Sequence, residues 1–142
     1  MEIALVPVGH VSRFIPALMP YLELSEKWSN GRALVDDILQ FVFSGQMQLW
    51  IGYDEKKVYG HYITEVKTYP RCKMLCVQYC AGETGIMEQL EEKGFDVLER
   101  FAQDAGCAGV EFIGRPGWRK STKAHGFEVQ DVVYQKFFGD RT

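Results

Sequence analysis

The 142-residue chain carries 16 basic and 19 acidic side chains, a formal net charge of −3, and 46% hydrophobic residues. This length and composition are typical of one folded domain spanning residues 1–142, and they exclude a disordered chain. The acidic balance and the lack of a basic cluster argue against nucleic-acid binding, and no apolar run is long enough to cross a membrane.

The four cysteines are expected to be reduced and buried, because the first residues show no secretion signal. Cys72, Cys76 and Cys80 follow one another at intervals of four, which matches no common zinc or iron–sulfur motif. A metal site is therefore the weaker interpretation, and no metal is expected. The same lack of a signal places the protein in the cytoplasm.

The first half of the chain predicts a strand, two helices and a β-hairpin. A short strand covers residues 3–8, and apolar residues then recur at helical spacing over residues 11–24, although Pro16 and Pro20 would kink or shorten that helix. The second helix is predicted over residues 33–43. Two runs rich in β-branched and aromatic residues surround a short charged turn and form the hairpin. The hairpin strands cover residues 46–53 and 58–69.

The second half predicts alternating strands and helices. A third antiparallel strand over residues 72–80 is followed by a long helix over 86–105 and a buried strand over 108–114, an order that implies a right-handed crossover. A short helix over 116–125 leads to a final strand over 129–138. In that strand Phe137 and Phe138 are adjacent, so one of them points away from the core, which suggests a paired edge or a homo-oligomer contact.

This element order, with "FAQDAGCAGVEF" ahead of a short helix ending in "GF", resembles the GNAT acyltransferase superfamily over nearly the whole chain. The stretches "TEVKTYPRCKMLCVQYCAGE" and "EFIGRPGW" are similar to small GNAT-like proteins of bacteriophages and prophages. The resemblance implies an α/β fold with a mixed, mostly antiparallel central sheet of about six strands and about four flanking helices. It also implies a phage-associated role, in the host cytoplasm or in the virion.

In the superfamily, a glycine-rich loop after the fourth strand holds the coenzyme A pyrophosphate through backbone N–H groups at a helix N-terminus. The corresponding stretch is "CAGETGIMEQLEEKG", in which Gly82, Thr84 and Gly85 are the candidate cofactor-binding residues. The superfamily fingerprint is absent, and four glutamates crowd the loop, each costing roughly 1 kcal/mol against a bound pyrophosphate. We therefore expect no cofactor, or acetyl-coenzyme A if the protein is active.

Acyl transfer to an amine needs a general base on the central strands and often a tyrosine acid on the short helix. Thr122 stands where the resemblance implies that tyrosine. Glu65 or Glu83 is the candidate base, and His125 is the candidate acid. Each of these three side chains also fits a solvated edge, so a catalytic and a merely structural interpretation both stay open.

The stretch "GRPGWRKSTKAHGFEV" also has two interpretations. In the first, its glycines and Pro116 shape a turn, and Trp118 packs back on the sheet. The second is an edge that binds an anion or a protein partner, since Trp and Arg dominate binding interfaces. The residues of that edge are Arg115, Trp118, Arg119 and Lys120.

Two functional hypotheses follow. The first is a non-catalytic GNAT-like module that works through a phage structural or host protein partner, or binds a small anion, because the phosphate-loop fingerprint and the tyrosine are missing. The second is an acyl-coenzyme-A-dependent N-acetyltransferase with an atypical pyrophosphate loop. A measurement of acetyl-coenzyme A binding distinguishes these two hypotheses. A third, weaker interpretation is an inhibitor of a host enzyme.

Overall fold

A five-stranded sheet runs through the computed structural model, which describes residues 1–139, in the order β1-β2-β3-β4-β5. The first four strands are antiparallel neighbours, and β4 lies parallel to β5. The strands are β1 (Glu2–Leu5), β2 (Gln48–Tyr53), β3 (Val58–Thr68), β4 (Lys73–Gly82) and β5 (Gly109–Phe112). The helices are α1 (Val11–Trp28), α2 (Val35–Phe43), α3 (Met87–Asp104) and α4 (Arg119–Ala124), with 3₁₀ turns at Val8–His10 and Pro116–Trp118.

Two apolar layers cover the two faces of the sheet. On β2, Leu49 and Ile51 pack with α1 and α2, whereas Trp50 between them packs with α3. This alternation follows from the two-residue period of a strand. Helices on both faces explain why the central strands are apolar on successive residues, and the predicted mixed, mostly antiparallel α/β architecture is confirmed.

Helix α1 is longer than the sequence predicted, because it continues through both of its prolines to Trp28. Pro16 and Pro20 lie on the exposed side of the helix, and its buried side includes Leu18 and Leu22. Each proline removes one hydrogen bond to the carbonyl four residues earlier. Those carbonyls belong to exposed residues, Ser12 and Pro16, and can accept from water. The apolar contact with the sheet therefore holds the helix together.

The predicted final strand over residues 129–138 is wrong for the described chain. Residues 127–137 have no strand pairing, and every residue from 128 to 139 is exposed. The described sheet therefore has five strands instead of about six, and β5 is its last strand. Strand-forming side chains alone do not create a strand, since the segment also needs a partner along its backbone.

Among residues 1–139, no helix is both long and apolar enough to cross a membrane. Within the same range, no group of three or more His, Cys, Asp or Glu side chains is placed to hold a metal ion. The four cysteines are free thiols. Cys76 is buried, Cys80 and Cys107 are half-buried, and Cys72 is exposed just before β4, so the prediction that all four are buried holds for Cys76 and is wrong for Cys72.

Candidate functional site

The sheet opens between β4 and β5. The pairing of these strands ends at Val77 and Phe112, with one further hydrogen bond from the Ile113 N–H to the Val77 carbonyl at 3.1 Å. Strand β4 then continues to Gly82 without its neighbour. The divergence creates a cleft of about 420 Å³ between the end of β4, the start of α3 and residues 115–118. The side chains at the cleft include Trp28, Cys80, Thr84, Met87, Glu91, Arg115 and Trp118.

A β-bulge stands at the point where the strands diverge. Ile63 of β3 pairs with Tyr79, but the next residue, Thr64, pairs with Val77, so Gln78 is the extra residue in β4. A bulge releases backbone groups from the ladder and turns the strand. The bulge therefore sends the end of β4 away from β5 and opens the cleft.

Glu65 lies beside this bulge. Its carboxylate accepts hydrogen bonds from Gln46 Nε2 at 2.9 Å and from Gln78 Nε2 at 3.4 Å, and the residue is half-buried. Both donors are neutral amides, so neither of these hydrogen bonds brings a positive charge to the carboxylate. Burial raises the pKa of the neighbouring Tyr79 hydroxyl, and the charges of Asp37 and Glu65 raise it further.

The loop from β4 to α3 keeps part of the geometry expected of a phosphate site. Gly85 has a φ of +89°, and the space around a Cβ placed there is open. Thr84 and Gly85 are exposed, and the loop leads into the N-terminus of the 18-residue helix α3. The first N–H groups of a helix have no partner inside it, and its dipole favours an anion. The loop thus offers backbone donors to a phosphate.

At position 82 a glycine is required for a different reason. A Cβ at this position would lie 2.7 Å from Leu90 Cδ1 and 2.9 Å from the Met87 sulfur. The glycine therefore allows the start of α3 to pack closely on the end of β4. It lines the cleft through its backbone only, and the requirement for glycine here comes from packing.

The charge around the loop is less negative than the sequence indicated. Glu83 forms an ion pair with Lys57 of the β2–β3 hairpin, and this pair raises the pKa of Lys57. Glu91 at the cleft accepts a hydrogen bond from the Ser121 hydroxyl. Arg115 brings a guanidinium to the same cleft. The expected repulsion of a pyrophosphate is therefore reduced by Lys57 and Arg115, and Glu88 in the first turn of α3 still opposes an anion.

Arg115 lies over the indole ring of Trp28, with its guanidinium carbon 3.6 Å from the ring centroid. The contact joins the end of α1 to the segment after β5 and spans the cleft. A stacked guanidinium keeps its in-plane N–H donors, so it can still bind a carboxylate or a phosphate. Trp118 packs its ring against Phe112 at 5.1 Å and is half-buried. Trp118 therefore packs on the sheet as one interpretation predicted, and it also lines the cleft, where its ligand-binding role stays a prediction.

Glu65 and Glu83 lie near the bulge and the loop but are not among the described residues that line the cleft, and the remaining predicted residues do not gather there either. His125 packs edge-on against Phe95 with ring centroids 4.8 Å apart, in a separate groove beside β5. Arg119 and Lys120 are exposed on α4 and are not among the described residues that line the cleft. The Thr122 hydroxyl donates to the Trp118 carbonyl at 2.8 Å, within its own helical turn.

Sequence reasoning missed five residues of this region: Trp28, Gln78, Cys80, Met87 and Glu91. The bulge has no sequence signal, because it depends on the pairing register of two strands. Burial raises the pKa of the Cys80 thiol, so this side chain at the cleft is a protonated, weak donor at neutral pH. An aromatic residue at the end of a helix, such as Trp28, signals a contact but does not identify its partner.

No protein-family model and no curated protein sequence matches the chain. Solved structures match it along nearly its full length. A ribosomal-protein-alanine N-acetyltransferase from Brucella melitensis biovar Abortus 2308 has a TM-score of 0.71 at 15% identity, covering 97% of this chain and 100% of that one. An aminoglycoside acetyltransferase from an uncultured soil metagenomic sample has a TM-score of 0.71 at 12% identity, covering 97% and 95%. Glucosamine-6-phosphate N-acetyltransferase from Arabidopsis thaliana has a TM-score of 0.67 at 10% identity, covering 97% and 98%.

At these identities the likeness concerns the fold. The chain has the GNAT fold, as the resemblance in the sequence implied. The comparisons say nothing about a phage origin, so that association and the cytoplasmic location stay predictions.

Proposed function

We propose that the protein is an acyltransferase that moves an acyl group from acyl-coenzyme A to an amine. The observation that carries this proposal is the cleft itself, which opens at the Gln78 bulge with an anion-favouring helix N-terminus at one end. Fold neighbours that are acetyltransferases support the same choice. Fold alone does not establish activity, so the proposal depends on the residues of the cleft.

The residues present fit coenzyme A in part. The open, positive-φ Gly85 and the exposed Thr84 allow a phosphate to approach the backbone, and Arg115 adds a cation. Glu88 and Glu91 repel a bound phosphate. Salt screens the interactions between these charges, so the affinity for acyl-coenzyme A should depend strongly on salt concentration. When bound, acyl-coenzyme A supplies an acyl group activated as a thioester.

Glu65 is the candidate general base on the protein side. Proton transfer by a positioned carboxylate typically contributes a factor of roughly 10²–10⁴ to a rate. In the proposed reaction Glu65 would take the proton of the attacking amine as the nitrogen bonds to the acyl carbon. The carbon–sulfur bond would break, and the proton would pass from Glu65 through solvent to the leaving thiolate, which releases the thiol. Gln46 and Gln78 hold the carboxylate in place through their amide donors. Glu83 is less suited to this role, because Lys57 already neutralises it.

A second candidate function is a non-catalytic module that binds an anionic group of a small ligand or a protein. The Arg115–Trp28 stack favours it, because a guanidinium held on an aromatic ring is prepared for a carboxylate or phosphate without any reaction. Trp118 would add apolar contact area at the same edge. Under this function the cleft binds its ligand without turnover, and Glu65→Gln has no effect on ligand binding.

Thiol release from acetyl-coenzyme A in the presence of a panel of primary amines tests the proposed function. We expect turnover with at least one amine, and a loss of kcat of roughly 10²–10⁴-fold in Glu65→Gln. The substitution keeps the size of the side chain and replaces one accepting oxygen by an amide NH2 group, so one of the two amides that now donate to Glu65 must turn its oxygen toward residue 65. Its melting temperature should stay close to that of the wild type.

Glu55→Gln is the matched control, since Glu55 is an exposed glutamate in the β2–β3 turn. It should leave kcat unchanged. Turnover that survives in Glu65→Gln would remove Glu65 from the mechanism. The absence of amine-dependent thiol release in the wild type would contradict the acyltransferase and leave the binding module.

A further inference from the structure

Glu65, Cys76 and Glu111 form a row across three neighbouring strands. Glu65 of β3 pairs with Cys76 of β4, and Cys76 in turn pairs with Glu111 of β5. Residues that pair directly across strands point to the same face of a sheet. Ile63, two residues before Glu65 on β3, identifies this face, because it packs in the apolar layer formed with α1 and α2. The row therefore lies on the sheet face opposite α3.

The row stands beside the proposed reaction site. The pairing of β4 with β5 ends one residue farther along, at Val77 and Phe112. Glu65 at one end of the row is the candidate base, and Glu111 at the other end is two strands away. Because neighbouring strands are about 4.8 Å apart, the backbones of the two glutamates are separated by roughly 10 Å. A small molecule that meets Glu65 can thus extend across Cys76 to Glu111.

Both carboxylates of the row are accessible and lack a direct ion pair. Glu65 and Glu111 are half-buried, so solvent reaches each of them, whereas Cys76 between them is buried. The Tyr69 hydroxyl donates to the Glu111 carboxylate at 2.9 Å, as the two amides donate to Glu65. All of these donors are neutral. Among residues 1–139, no lysine or arginine forms a salt bridge with either carboxylate.

The charges at the row are net negative. Burial raises the pKa of the Cys76 thiol to about 11. The charge of Lys67 acts in the opposite direction, and the charges of Glu111 and Glu65 add to the effect of burial. Lys67 lies two residues after Glu65, on the same face of β3, and it brings an ammonium group near the middle of the row. Two carboxylates outweigh this one ammonium, and its presence shows that the row accommodates a primary ammonium.

We infer that the acceptor is an aliphatic diamine, whose first amine reacts at Glu65 while the second, as an ammonium, is bound by Glu111. The inference rests on the proposed acyltransferase function and names its substrate class. An alkyl ammonium keeps its charge at neutral pH, as a lysine side chain does. The methylene chain crosses Cys76, whose protonated thiol behaves as a small apolar group. An acceptor with an anionic group in place of the second amine would meet Glu111 with like charge.

Titration calorimetry with two amines of equal length tests the inference without turnover. Hexamethylenediamine carries an amino group at both ends of the carbon chain that hexylamine carries at one end. We expect the full-length protein to bind the diamine roughly fivefold more tightly, which is the upper range for one exposed ion pair. Glu111→Gln should remove the preference, and it keeps an oxygen that accepts from Tyr69. Glu99→Gln is the matched control, because it removes the same charge from an exposed position on α3, and it should keep the preference.

The same amines test the acceptor role by thiol release from acetyl-coenzyme A. Glu111→Gln should raise KM for the diamine more than it changes kcat, and Lys67→Gln should lower KM, because it removes the competing ammonium. Equal binding of the two amines by the wild type, or a diamine preference that survives in Glu111→Gln, would overturn the inference even where thiol is released. Preferential binding without thiol release would overturn the acyltransferase alone and keep the diamine as a ligand of Glu111.

Discussion

At the scale of single residues, His61 is a polar group in an apolar layer. It lies on β3 with 1% of its surface exposed, and its Nε2 is 3.3 Å from the hydroxyl oxygen of Ser25 on α1. Its Nδ1 has no hydrogen-bond partner among the described residues. Burial lowers the pKa of His61 to about 4, and the backbone of Tyr21 acts weakly in the opposite direction. The ring is therefore neutral at pH 7.

This burial predicts a loss of stability in acid. The unfolded chain binds a proton at His61 below about pH 6.5, whereas the folded chain does so only near pH 4. Folding stability contributed by the neutral ring is therefore complete above pH 6.5 and is lost as the pH falls to about 4. The difference corresponds to about 3 kcal/mol of unfolding free energy. Urea unfolding at a series of pH values between 7 and 4 measures it.

The controls for this prediction are two other variants. His61→Leu removes the titrating group, so its unfolding free energy should depend less on pH over the same range than that of the wild type. His10→Gln changes an exposed histidine and should keep the wild-type dependence. An equal pH dependence in His61→Leu and the wild type would show that other groups cause the acid effect.

Predictions from residue type identified part of the candidate site and missed the rest. Arg115, Thr84 and Gly85 were singled out from the sequence, and the structure places all three at one cleft. His125 belongs to a different groove, because the turn after α4 directs it onto Phe95. The compensation of Glu83 by Lys57 joins residues 26 positions apart, and such pairs are invisible before the hairpin is folded.

At the scale of elements, helix α3 packs directly on the end of the Tyr62 side chain, which projects from β3. A Cβ at Gly94 would lie 2.6 to 2.8 Å from the ring and hydroxyl of Tyr62, and that hydroxyl donates to the Leu90 carbonyl at 2.8 Å. The tyrosine thus bonds a helix carbonyl one turn before the glycine. The helix and the strand are in direct contact at this point.

Gly94→Ala should therefore destabilise the protein, although alanine is the better helix former by about 1 kcal/mol. The added methyl must displace Tyr62 or move the helix, at a cost of roughly 1–3 kcal/mol. Thermal unfolding measures the change. Gly9→Ala is the matched control, because a Cβ at Gly9 meets no atom within 4 Å and the change should be nearly neutral. A Gly94→Ala protein as stable as the wild type would mean that the helix can move away without cost.

Most helices and strands were predictable, because their apolar periodicity agrees with the way they are buried. The hairpin, the β4–α3–β5 crossover and the limits of α3 follow the sequence closely. The length of α1 and the end of the described chain did not follow it. Packing preserved a helix that contains Pro16 and Pro20, and the strand expected over residues 129–138 is not formed in the described residues.

At the scale of the whole molecule, the candidate site is a consequence of topology. The parallel pairing of β4 and β5 ends after four residue pairs, and the bulge then separates the two strands. Segments distant in sequence, the end of α1 and the segment after β5, meet across the opening through Trp28 and Arg115. Sequence reasoning identified the loop chemistry but could not weigh its charges, because the balancing cations come from other parts of the fold.

Isothermal titration of the full-length protein with acetyl-coenzyme A tests the central claim, that this cleft holds an acyl donor. We predict one site per chain with micromolar affinity, and at least tenfold weaker binding in Thr84→Glu, which adds a negative charge at the exposed loop. Thr68→Glu, at the exposed end of β3, should bind as the wild type does. Absence of heat and of any rise in melting temperature at millimolar acetyl-coenzyme A would contradict the account.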